Sequence, residues 1–104
     1  MKTIKEQHSF LERLEHLKEA FPNIPEVKYF CCDDIDISKI KTTNNKDISY
    51  AKEVLIVGNT LINVTATSVD ACLMTILKYT HGLEYSGYMG EVNIEDLEVR
   101  KYEN

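Results

Sequence analysis

The segment that most constrains this chain is Val54-Leu55-Ile56-Val57-Gly58-Asn59-Thr60-Leu61-Ile62-Asn63-Val64. Two apolar, β-branched stretches flank a two-residue turn, which is the strongest short-range signal for a β-hairpin. Glycine at the first turn position suits a type II′ turn, whose positive φ costs glycine nothing. The turn also sets the register. Val57 is expected opposite Thr60, Leu55 opposite Ile62, and Glu53 opposite Val64. One face of the hairpin then carries Leu55, Val57, Ile62, Val64 and Ala66, and is the better core face. The other carries Tyr50, Lys52, Val54, Ile56, Leu61, Asn63 and Thr65. There Val54, Ile56 and Leu61 form an apolar patch among polar neighbours, which reads as an oligomer interface and makes a homodimer a possible assembly.

Helical periodicity brackets the hairpin. Phe10, Leu11, Leu14, Leu17 and Phe21 recur at spacings of three and four, and Ile4 extends that stripe backwards. Thr3 and Glu6 fit a capping box, and Pro22 stops the helix. After the hairpin, Thr67 or Ser68 is placed to cap a second helix, with Asp70 where the helix dipole favours negative charge. Val69, Cys72, Leu73, Ile76, Leu77 and Thr80 form its inward stripe, and Gly82 ends it. Glu26 to Cys32 reads as a strand that is apolar on both alternations, hence central. Asp33 to Lys41 is either a continued edge strand or a short helical turn, and Lys41 to Asp47 is a polar loop. In the tail, Val92 and Ile94 are out of phase with Leu97 and Val99, which predicts a bulge or a tight turn at Glu95-Asp96. The expected class is α+β. It is an antiparallel sheet with a central β-hairpin turning at Gly58-Asn59, packed by two helices over about 4–21 and 69–81, in one domain covering 1–104.

Charge bears on function. Twelve Lys+Arg against seventeen Asp+Glu give a net charge of −5. Nucleic-acid binding rests on neutralising phosphates, so this balance argues against it. An acidic chain more readily meets a protein partner with a basic surface. The least charged stretch, Val54 to Leu77, is too interrupted to span a bilayer, so no membrane association is expected. Cys31, Cys32 and Cys72 are odd in number, two of them adjacent, and no export signal precedes them. That usage points to a reducing cytoplasm rather than a disulfide framework.

Two segments stand out as surfaces. Tyr79 to Gly90 mixes tyrosine and glycine, the composition of adaptable binding loops, and offers Tyr85, Tyr88 and Met89. Glu91, Glu95, Asp96 and Glu98 begin a negative stripe suited to a basic patch. With no catalytic constellation in view, the reading is a small acidic non-enzymatic binding protein, a regulator or inhibitor acting through protein–protein contacts, with no cofactor. The alternative is an enzyme or a small-molecule, metal or nucleotide binder built on Asp33, Asp34 and Asp36 with the Tyr79–Gly90 loop. If extended, Cys32, Asp34, Asp36 and Ser38 would share one face and could hold Mg²⁺ with waters. A calcium loop starting at Asp34 lacks its glycine and glutamate, since Lys39 and Asn45 stand at those positions. His8, Glu12 and His16 span about 12 Å of helix at 1.5 Å per residue, too far to share one ion.

Overall fold

The structure, a computed structural model, describes residues 2–45 and 47–93. Helix α1 spans Ile4–Ala20 and starts from the expected capping box: Thr3 accepts from the Glu6 amide, and the Glu6 side chain accepts from the Thr3 amide. Strand β1 (Val27–Cys31) follows, then a 3₁₀ turn at Ile37–Lys39. Strands β2 (Glu53–Val57) and β3 (Thr60–Asn63) form the hairpin. Helix α2 runs Val69–Thr80, and β4 spans Tyr88–Glu91. The sheet is antiparallel with order β1-β2-β3-β4, which makes the protein α+β. No helix of the described residues is long and apolar enough to cross a membrane.

The hairpin has the expected register, Val57 opposite Thr60 and Leu55 opposite Ile62, and the Val64 amide donates to the Glu53 carbonyl. Gly58 takes φ +63 while Asn59 keeps a negative φ, which fits the II′ turn and excludes I′. Leu55, Val57, Ile62 and Val64 pack under Phe10 and Leu14 of α1 and Cys72, Leu73 and Ile76 of α2. Lys2 and Glu6 line one pocket with Thr67 and Ser68, while the rings of Phe21 and His81 meet at 5.5 Å. The two helices therefore lie side by side and parallel, both N-termini at one end. Ser68 caps α2 by accepting from the Ala71 amide. Its far end closes in a Schellman motif, with Leu83 N–H on the Lys78 carbonyl and Gly82 N–H on that of Tyr79.

The structure departs from expectation in several places. Strand β1 is an edge strand, although both its faces are apolar. Its two faces are covered from above and below: Val27 and Tyr29 pack on the helix side, Phe30 and Cys32 on the opposite core. Ile4 and Leu11 are exposed, because the buried stripe of α1 centres on Phe10 and Leu14 and Leu11 sits roughly 100° round from Phe10. A bulge that the sequence did not signal lies in β4, where Leu61 pairs Gly90 and Ile62 pairs Tyr88, leaving Met89 as the extra residue; the turn or bulge expected at Glu95-Asp96 lies outside the described residues. The polar loop is partly docked, since Thr42 is buried and pairs Val92, and Thr43 N–H donates to the Glu91 carbonyl.

The largest correction concerns Val54, Ile56 and Leu61. All three are fully buried, so they form no oligomer interface at the surface. Residues 32–45 and 47–52 fold back across this face and cover it with Ile35, Ile37, Ile40, Ile48 and Ala51, joined by Met89 and Val92. Isoleucines scattered through a charged, irregular segment complete a second core. Each such side chain contributes about 1.5–3 kcal/mol on full burial.

Candidate functional site

The tyrosine-rich corner is built from the end of α2, the following loop and β4. Tyr79, on the last turn of α2, accepts a hydrogen bond at its hydroxyl from Thr60 Oγ1 at 3.2 Å. Tyr85 packs edge-on against Tyr79, with ring centroids 5.9 Å apart. The loop is pinned at Gly87, whose carbonyl accepts from the Asn63 amide at 2.7 Å. Gly87 has φ +94, and a Cβ there would lie 2.4 Å from the Asn63 carbonyl oxygen, so only glycine lets the loop approach β3 this closely. Burial pushes the Tyr85 phenol up from its ordinary pKa, followed by the nearby Tyr79, Glu91 and Tyr88. Tyr85 is half-buried, Tyr88 is about half exposed, and Glu84 and Glu91 are exposed. The result is a pre-shaped aromatic and acidic surface.

Of the sequence-predicted contact residues, Tyr85, Tyr88 and Glu91 meet at this corner. Met89 does not join them: it is fully buried, because the bulge turns its side chain into the second core. Glu95, Asp96 and Glu98 lie outside the described residues.

The Asp33, Asp34 and Asp36 segment is not extended. A turn follows β1, with the Asp34 and Ile35 amides both donating to the Cys31 carbonyl. Asp34 turns back onto the Cys31 thiol, which donates at 3.4 Å, and Asp36 accepts from Ser38 Oγ at 2.6 Å and lies 3.9 Å from Lys39 Nζ. These carboxylates are engaged locally rather than aligned on one face. Burial, first, raises the Cys31 thiol above its ordinary pKa, and the Asp34 carboxylate adds to the rise. His8 pairs with Glu12 on the exposed side of α1. Among the described residues, no three His, Cys, Asp or Glu side chains gather closely enough to hold a metal ion. All three cysteines are free thiols.

The sequence reading missed a second centre. Glu53 is fully buried at the start of β2, on the helix-covered face. Its Oε2 accepts from Lys2 Nζ at 3.1 Å, from the Lys2 amide at 3.4 Å and from the Tyr29 hydroxyl; its Oε1 accepts from the Ala66 amide at 3.0 Å. Ala66 takes φ +57 to present that amide, a conformation disfavoured for a residue with a Cβ and held here by the contact. Desolvation pushes the Glu53 carboxyl up, but Tyr29, Lys2 and the Ala66 amide outweigh it and hold the carboxyl below its ordinary range. The Tyr29 phenol is driven far up, first by burial and then by Glu53. The signal in sequence was phase: Glu53 shares the alternation of Leu55 and Val57, so a charge stands in a core position. Lys2, ahead of the helix, carried no such signal. Comparison with known proteins found no match to any family model, curated protein or solved structure.

Proposed function

We propose that this chain is a small acidic, non-enzymatic binding protein of the regulator or inhibitor kind, and that it acts by engaging a basic surface on a protein partner. The observation that carries this reading is the gathering of Tyr85, Tyr88 and Glu91 on one pinned corner, with the exposed Glu84 next to Tyr85 in the chain. Tyrosine offers a rigid contact area at low entropic cost, and its ring face attracts a guanidinium. A neighbouring carboxylate supplies a charge-assisted acceptor for the same group. A net charge of −5 favours encounter with a cationic partner. The free thiols accord with a cytoplasmic setting.

The test is titration of the full chain with arginine-rich peptides, followed by anisotropy at low and moderate salt. Wild type is expected to bind with an affinity that falls as salt rises. Tyr88→Ala and Glu91→Lys are each expected to weaken binding about tenfold, the scale of a contact worth more than 1 kcal/mol. Their stability should stay within about 0.5 kcal/mol of wild type, as for other exposed sites. Binding that ignores both substitutions, or no binding at all, refutes the reading.

A further inference from the structure

The Glu53 centre has the chemistry of a receptor for a primary ammonium. A fully buried carboxylate faces the Lys2 ammonium at 3.1 Å, and the Tyr29 ring lies 5.3 Å from that nitrogen. Carboxylate plus aromatic face is the pairing that recognises alkylammonium groups in a desolvated site. The Lys2 side chain is 3 % exposed, yet Lys2 belongs to neither helix nor strand. It precedes the Thr3 cap; its ammonium also neighbours the Cys72 thiol, and its carbonyl accepts from the Gln7 side-chain amide at 3.2 Å. Above the pair opens a pocket of about 220 Å³, lined by Lys2, Glu6, Glu53, Ala66, Thr67 and Ser68. Both members of the buried pair thus line a pocket whose other walls are polar or small side chains.

A buried ion pair is weak evidence for stability, because desolvation offsets most of the attraction, and a well-packed apolar pair would serve as well. What the pair does provide is a pre-organised site. We propose that Glu53 and Tyr29 form a binding seat for a primary alkylammonium, occupied in this structure by the chain's own Lys2 and open to one supplied from outside through the pocket above it. Lys2 is then a tethered occupant, whose effective concentration a competing amine must overcome.

The test uses the full chain and n-propylammonium chloride, with tetramethylammonium chloride at equal ionic strength as the control that has charge but no N–H donors. Lys2→Ala is expected to melt about 10 °C or more below wild type, since it strands a buried carboxylate. Propylammonium is expected to raise the melting temperature of Lys2→Ala with the logarithm of its concentration, as binding linkage requires, while tetramethylammonium does not. Wild type should respond far less, because its seat is filled. The effect should vanish in Lys2→Ala/Glu53→Gln. If Lys2→Ala does not fold in plain buffer, its refolding yield with each of the two salts gives the same answer. Equal responses to both salts, no response to propylammonium, or a response that survives Glu53→Gln overturns the proposal.

Discussion

On the helix-covered face of the sheet, Leu55, Val57, Ile62 and Val64 lie under two regular helices, and the same face buries a charge, Glu53. On the other face Val54, Ile56 and Leu61 lie under an irregular segment that buries the uncharged Thr42, and among the described residues no charged side chain is buried there. Burial is complete on both sides, but the polar content differs. The helix side tolerates a carboxylate because Lys2, Tyr29 and the Ala66 amide surround it with donors. Charged groups of the covering segment such as Asp34 and Asp36 bond to near neighbours in the chain. Burial alone therefore does not decide whether a charge is admissible; the donors within reach do.

The strongest way to break this comparison is to place a glutamate on the segment-covered face. Leu61→Glu puts an unpaired carboxylate into a fully buried apolar site, and is expected to lose about 5 kcal/mol or more, enough to abolish cooperative unfolding in urea. A variant that stayed folded would show that the covering segment can open or supply donors. Next in size is Glu53→Ala, which strands the Lys2 ammonium and should lose about 3–5 kcal/mol by the same assay. Ile35→Ala tests the cover itself. Ile35 is fully buried, so the substitution should lose about 2–4 kcal/mol. It should also raise binding of a hydrophobic dye as Val54, Ile56 and Leu61 become uncovered.

The smallest effect is on pH dependence. The Glu53 carboxyl is held below its unfolded value, which is about 4.3 for glutamate. Its contribution is therefore present above that pH and is lost as pH falls through the lower, folded value. The acid limb of the wild-type stability curve should accordingly fall more steeply than that of Glu53→Gln, as read from melts between neutral pH and about pH 3. Parallel limbs would mean that Glu53 titrates alike folded and unfolded.

The same contrast explains what was legible. The helices, the cap at Thr3, a second cap at Thr67 or Ser68, and the register of Val57 opposite Thr60 follow from periodicities and turn chemistry that act over a few residues, while the structure chooses Ser68. At the tyrosine corner, Tyr85, Tyr88 and Glu91 were within reach of composition, because they lie close together in the chain. Met89 was not, since one extra residue in β4 reverses the side its chain faces. Strand β1 was placed centrally on its apolar content, but lateral position depends on chain path, which alternation does not encode.

By itself the sequence determined the local elements, the polarity of each face and the acidic character of the surface, because short-range sterics and the hydrophobic effect act on neighbours. Only the tertiary structure decided which apolar surface is covered by the chain itself and which charge is buried. Ile35 joins the core that holds Ile56, and Lys2 meets Glu53 from 51 residues away, through a return of the backbone whose outcome rests on many weak, non-local contacts summed together.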